Sequence, residues 1–392
     1  MTTHRSAYRA CRYGARFGAI AAVVAAGVVL QGGAAFASGW IIVSGATRGG
    51  GGYSDYLGGV TCTSPSSCVA VGGSNSQRPV IETFNGTTWA SVFGPTRGGG
   101  AQLGSVSCTS PTHCVAVGDY FTGPAETPRT FAGTWNGTSL SVTPSPNRGG
   151  LMNFLYSVSC PGLTNCVAVG SSSTSSGIDQ TLIETWNGST WSLAASPKPA
   201  AGDLNGVVCT SATNCQAVGY RKDASGVPHT LAETWNGTTW AITPTFSPSQ
   251  GGNLIGLSCT GPTRCVAVGK SGPWGSPWQP LVETWNGGAW TAVASPSAPS
   301  GSSSELDGVS CISNVLCTAV GQTYQLSAST AQTLIESWNG SAWSIVGAPS
   351  RDAYSGLRGV ACSPVSMGCV AAGSSYSFTT RISRTLVESG AA

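Results

Sequence analysis

Residues 155–170 read LYSVSCPGLTNCVAVG and residues 181–193 read TLIETWNGSTWSL. Versions of the first stretch begin at Leu57, Leu103, Leu204, Leu254, Leu306 and Leu357. Versions of the second surround Phe84-Asn85-Gly86, Trp135-Asn136-Gly137, Trp235-Asn236-Gly237, Trp285-Asn286-Gly287 and Trp338-Asn339-Gly340. The chain is therefore a tandem array with a period of about 50 residues, and one unit must be understood before the whole. Within a unit the alternating run Leu155–Cys160 predicts a first strand, and Cys166–Val169 predicts a second. Thr181–Trp186 predicts a third and Trp191–Ala194 a fourth. Asn-Gly between the last two predicts a type I′ hairpin turn, which needs positive φ at both central residues.

Four antiparallel strands repeated at this period predict the blade of a β-propeller. The seventh unit supplies RTLVESG at Arg384–Gly390 without a following Asn-Gly turn or fourth strand. At the other end SGWIIVSGA, Ser38–Ala46, matches the fourth strand of unit six, SAWSIVGAP at Ser341–Pro349, with Trp40 falling on Trp343. The expected fold is all-β: a seven-bladed β-propeller of four-stranded antiparallel blades, its ring closed by the N-terminal strand completing the last blade. Closure removes the open sheet edges that invite aggregation.

This arrangement resembles the ring-closing strand of WD-repeat and kelch-type propellers. The chain is similar to a secreted bacterial seven-bladed repeat protein, kelch-like or WD-repeat-like in architecture. The kelch Gly-Gly doublet with its spaced Tyr and Trp is absent, and so is the Trp-Asp dipeptide, so the resemblance implies architecture alone. Propellers host enzymes, lectins and scaffolds, and the fold does not choose among them.

Composition agrees with an array of short strands and turns: 41% of residues are apolar, 8% are charged and 55 are Gly. Arg5, Arg9, Arg12 and Arg16 precede the apolar run Phe17–Leu30, and Ala35-Phe36-Ala37 is an A-x-A cleavage signal. Residues 1–37 read as a signal peptide and residues 38–392 as one secreted domain. An apolar run of about 14 residues is short for a membrane span, so no membrane insertion is expected after cleavage. Losing those four arginines, with no acid among them, takes the formal charge from +3 to −1. Nucleic acid and anionic membrane need clustered Lys and Arg and are not expected partners.

Cleavage also removes Cys11 from the 15 cysteines, leaving an even number for an oxidising compartment. The simplest pairing lies within units: Cys62 with Cys68, Cys108 with Cys114, Cys160 with Cys166, Cys209 with Cys215, Cys259 with Cys265, Cys311 with Cys317, and Cys362 with Cys369. Their Cα atoms should lie within roughly 4.4–6.8 Å. Metal ligation competes poorly, because His113 and His229 are the histidines left and neither recurs. No cofactor is expected.

The repeated Trp of ETWNG could stack sugars, but recurrence in nearly every unit favours packing between blades. Asn85, Asn136, Asn187, Asn236 and Asn339 also match a glycosylation sequon that turn chemistry already explains. Repeated Glu82, Glu184, Glu233, Glu283, Glu336 and Glu388 occupy equivalent places in different units, so they do not form the close pair of a glycosidase. His113 and His229 fall at opposite ends of their units and cannot share a proton relay.

The loops between first and second strands are short and disulfide-closed, whereas those between second and third, and from fourth to the next first, vary. The varied face is the expected binding surface. Its candidates are Trp274 and Trp278 in GPWGSPW, Tyr220, Arg221, Asp223 and His229 in unit four, Tyr120 and Phe121 in unit two, and Tyr376 and Phe378 in unit seven. The expectation is a monomeric, non-catalytic extracellular scaffold binding a protein or glycan. A carbohydrate-binding lectin is the alternative, and a secreted hydrolase or lyase comes third. Exposed repeated Trp rings would favour the second, and a charged cluster along the axis the third.

Overall fold

The computed structural model describes residues 39–43, 54–123, 125–149, 151–197, 201–273, 277–297 and 299–391. The expected leader and Trp274 lie outside the described residues. Among those described there are strands and turns and no helix, so none long and apolar enough to cross a membrane.

Unit three shows the pattern. Its strands are Asn153–Gly162, Asn165–Ser173, Asp179–Trp186 and Trp191–Leu193, paired antiparallel in chain order. The first three run longer than their apolar stretches because the backbone ladder continues through polar residues such as Asn153 and Ser172, which pair directly. Five units form separate four-stranded sheets of this order. Units six and seven share one eight-stranded sheet, joined by a single parallel bridge between Ala331 and Tyr354. In unit seven the fourth place is taken by Ile41–Val43, which pair antiparallel with Ser389, Glu388 and Val387.

Two backbone constraints explain the repeated residues. The repeated glycine of each second strand lies under the first strand: a Cβ on Gly170 would stand 1.9 Å from the Phe154 carbonyl oxygen, and one on Gly219 2.0 Å from that of Asp203. Only glycine allows that approach. Two residues beyond each repeated Leu the first strand carries a β-bulge, as between Leu155 and Ser157 or Leu306 and Gly308. The residue there is Gly or Ser, because neighbouring first strands nearly touch: a Cβ on Gly256 would meet the Asp307 carbonyl at 2.8 Å. Each first strand contacts the next, and that of unit seven, Tyr354–Cys362, also contacts that of unit one, Asp55–Ser64.

The core lies between units rather than within them. Val115, Val117 and Ala132 of unit two pack on Leu155, Leu182 and Trp186 of unit three. Ala372 and Val387 of unit seven pack in the same way on Leu57, Ala70 and Val80 of unit one. Trp40, 2% exposed, joins a cluster with Leu357, Leu386 and Ile335. Hydroxyls add a directional latch: Ser107, Ser159, Ser258 and Ser310 accept bonds of 2.9–3.0 Å from the N–H of Cys160, Cys209, Cys311 and Cys362, each one unit on.

Candidate functional site

The end of each unit that carries the cysteines is uniform. All seven expected pairs are bonded, six separated by six residues and the last by seven. Their Cα atoms lie 4.0–4.1 Å apart, closer than expected, because six of the pairs are direct cross-strand partners in a tight ladder. The Asn-Gly hairpins differ from a type I′ turn. Gly86, Gly137, Gly188, Gly237, Gly287 and Gly340 have φ of 93–98°, but the preceding Asn residues do not have positive φ. Trp186 pairs with Trp191, which leaves a four-residue loop. Within it Asn187 Oδ1 accepts from the N–H groups of Ser189 and Thr190, both at 2.9 Å, and from the Ser189 hydroxyl at 2.9 Å. The sequon hydroxyl is therefore part of the turn.

The repeated indoles pack on one another. Trp186 and Trp191 lie 5.5 Å apart, and Trp235–Trp240, Trp285–Trp290 and Trp338–Trp343 each 5.7 Å, at tilted angles. Most are buried, with Trp235 and Trp338 half-buried and donating to the carbonyls of Ala212 and Asn314. This packing takes away the basis for a sugar site on every unit. The repeated glutamates are fully buried, and Glu184, Glu233, Glu283 and Glu336 tie successive units. Ser145 donates to Glu184 at 2.6 Å, Ser196 to Glu233 at 3.0 Å and Ser295 to Glu336 at 2.7 Å, while Glu283 accepts from the Phe246 N–H. Where unit two has Gly133 in place of Glu, the preceding unit has Gly94 in place of Ser. Burial raises Glu184 and Glu388 to about 8, and Glu233, Glu283 and Glu336 to about 7.

The candidates from the varied face have different settings. Tyr220 is buried, its hydroxyl 3.3 Å from Asp203, so it is not a surface anchor. Asp223 caps its own loop through the N–H groups of Ser225 and Val227, and holds His229 at 2.9 Å. That bond to His229 is the main cause of a lowered Asp223 pKa. His229 also meets Ser247 at 2.9 Å, so the pair fastens the loop. Arg221 is exposed. Arg97 covers the half-buried Tyr120 ring at 4.3 Å, and the Phe121 carbonyl accepts from Gly99. Tyr376 and the exposed Phe378 meet edge to face at 5.4 Å. Half-buried Trp278 sits under the Lys270 ammonium at 3.6 Å, a cation–π geometry, and shares a small cleft with Tyr220 and Asn253. Its backbone N–H donates to the Ser303 hydroxyl at 2.8 Å.

Lys270 leads to groups that the sequence reading passed over. In every unit the residue before the repeated Leu pairs with the residue after the repeated Gly. These pairs are Tyr56–Gly73, Gln102–Asp119, Phe154–Ser171, Asp203–Tyr220, Asn253–Lys270, Glu305–Gln322 and Gly356–Ser374: no two units agree, although the Leu and the Gly that they flank recur in all seven. Contacts run from unit to unit along this belt. The Tyr56 hydroxyl donates to Gln102, which donates to buried Asp119, and Asn205 donates to Asn253. Desolvation raises Asp119 to about 7.

The belt is most charged between units five and seven. Lys270 Nζ lies 2.5 Å from Glu305, whose other oxygen accepts from Gln322 at 2.8 Å and Tyr324 at 3.0 Å. Lys270 and Arg358 hold the buried Glu305 carboxyl below its ordinary value against the opposing effect of desolvation. Arg358 reaches Asp307 at 3.4 Å. Asp307 is pushed up to about 7, first by burial and then by the Glu305 charge. The Tyr324 and Tyr354 rings meet edge to face at 5.9 Å. Among the described residues no group of three His, Cys, Asp or Glu is placed to hold a metal ion.

No family model and no curated protein sequence matches the chain. Solved structures do. The WD40 repeats of RRP9 superpose with a TM-score of 0.56 at 11% identity, covering 90% of this chain and 100% of that one. YCF48 bound to D1 peptide gives 0.54 at 12% identity, covering 90% and 97%. At such identities the likeness shows the fold alone, and the fold is a WD40-like β-propeller.

Proposed function

We propose that the seven units close a ring, with Ile41–Val43 completing the last blade, and that the secreted domain is a non-catalytic binding scaffold for an extracellular protein or glycan. The observation that carries this reading is the division of labour along each unit. The disulfide-and-turn end is repeated almost verbatim, whereas the belt pairs and the loops beside them differ in every unit. Structural demand is the same in all seven, so the positions that vary are those left to a ligand. A peptide is the favoured ligand, because YCF48, a propeller of similar fold, is seen with a peptide bound. Trp278 beside Lys270 supplies an aromatic and cationic anchor at the rim of the belt, and Trp274 in the same Pro-rich loop is proposed as its companion.

The test is a peptide-array and glycan-array screen of residues 38–392. Each hit is then measured against a variant with Trp274 and Trp278 both changed to Ala. Lost binding at an unchanged melting temperature supports the face. Retained binding refutes it, and hits confined to glycans favour a lectin. The charged cluster supports a second reading as a hydrolase or lyase, because a carboxyl held near 7 suits proton transfer. Turnover of an ester or glycoside panel that disappears in Asp307→Asn would establish it.

A further inference from the structure

The β-bulge in each first strand sets one residue outside the regular pairing: Gly58, Gly104, Tyr156, Asn205, Ile255, Asp307 and Arg358. Where the first strands meet, these seven positions surround the axis of the proposed ring. Two of them are charged, and those two are neighbours. We propose that Arg358 and Asp307 form a carboxylate-binding site in the axial channel, in which a carboxylate of the ligand replaces Asp307 on the guanidinium. This inference rests on the belt being the binding mouth.

The geometry points to an exchangeable pair. The Arg358 side chain is 42% exposed and that of Asp307 5%, so the cation faces water while its partner stays behind it. One contact of 3.4 Å to a single oxygen is long for an ion pair, and a guanidinium carries five donors in a fork shaped for two carboxylate oxygens. The other charges nearby are already satisfied. Glu305 is held by Lys270, Gln322 and Tyr324, and Lys270 is shared between Glu305 and the Trp278 ring. An arriving carboxylate therefore meets Arg358 as the one exposed cation among the bulge residues, with the Tyr324 and Tyr354 rings beside it.

Proton uptake would couple to this exchange. The groups acting on Asp307 are Glu305, which raises its pKa, and Arg358 and Lys270, which lower it, with burial the largest influence. A carboxyl held near 7 is mostly neutral at pH 6 and mostly charged at pH 8. Neutral Asp307 no longer competes for Arg358, so a ligand carboxylate binds more tightly at the lower pH. For one proton with a pKa near 7, the affinities at pH 6 and pH 8 differ by close to tenfold, on the order of the change in the protonated fraction.

The experiment titrates the domain, labelled with 15N-arginine, with N-acetylglutamate amide and separately with inorganic phosphate, following the Arg358 Nε–H resonance. The expected result is a saturable shift with the glutamate derivative, several-fold to tenfold tighter at pH 6 than at pH 8. Asp307→Asn should bind at both pH values with the tight constant, Arg358→Lys more weakly, and Arg358→Gln not at all. An unshifted Arg358, a pH-independent affinity in the parent, or binding retained by Arg358→Gln would overturn the site. Phosphate binding as tightly as the glutamate derivative would overturn the assignment to carboxylates. Should Asp307→Asn fail to fold, the pH dependence of the parent still decides. The probes need no macromolecular partner, so empty arrays beside a titrating Arg358 would sink the scaffold reading and leave the site.

Discussion

Replacing Glu233 by Gln should make the stability of the domain less dependent on pH. Glu233 is fully buried between units three and four, where the Ser196 hydroxyl lies 3.0 Å from both its oxygens and 2.8 Å from the Thr181 hydroxyl. Desolvation raises its pKa from 4.5 to about 7, against a smaller opposing effect of the Ser196 bond. The folded state therefore binds a proton that the unfolded chain has already released once the pH passes 4.5. Stability from this group is fully present below that pH, falls as the pH rises towards 7, and is gone above it. A rise from 4.5 to about 7 corresponds to about 3 kcal/mol. Glutamine mimics the neutral acid in shape and keeps an acceptor for Ser196. Urea unfolding at pH 5, 6, 7 and 8.5 should thus find Glu233→Gln within about 1 kcal/mol of the parent at pH 5 and more stable by roughly 2–3 kcal/mol at pH 8.5. The parent should lose stability over the same range, since Glu184, Glu283, Glu336 and Glu388 titrate in the same sense. A parent whose midpoint climbs from pH 5 to 8.5, or a gap between the two proteins that ignores pH, would refute the reasoning.

Other outcomes can be checked with simpler measurements. Deleting residues 38–46 should expose the edge of Arg384–Gly390 and lower the melting temperature, with oligomers in light scattering; a monomer that melts like the full domain would dismiss closure by this strand. Peptide mapping without reductant should recover seven bridges, each inside one unit, and reduction should lower the urea midpoint, because each small loop contributes about 2 kcal/mol by the chain-entropy argument. Asn187→Ala should cost about 1 kcal/mol by removing the acceptor for the Ser189 and Thr190 N–H groups, whereas Asn187→Asp should cost little.

Most of the scaffold was legible because its determinants are local and repeated. Strand alternation, paired cysteines six residues apart and Asn-Gly turns recur often enough for each to check the others. The turn type was misread because a two-residue turn and a four-residue loop share the same Asn-Gly signal; the pairing of Trp186 with Trp191 decides between them. Tyr220 looked like a loop aromatic, yet its ladder position opposite Asp203 buries it. The belt did leave a trace: its residues are those flanking the repeated Leu and Gly that change in every unit.

The sequence by itself determined the period, the four-strand unit, the disulfide partners and the match of Trp40 to Trp343, all set by spacing along the chain. Only the tertiary structure decided what depends on residues 35 to 51 apart in the chain meeting across a boundary between units. Ser196 meets Glu233, Lys270 meets Glu305 and Asp307 meets Arg358 in that way. Burial at those boundaries sets the charge state of each carboxyl, since desolvation and the partner's charge exist only once neighbouring units pack.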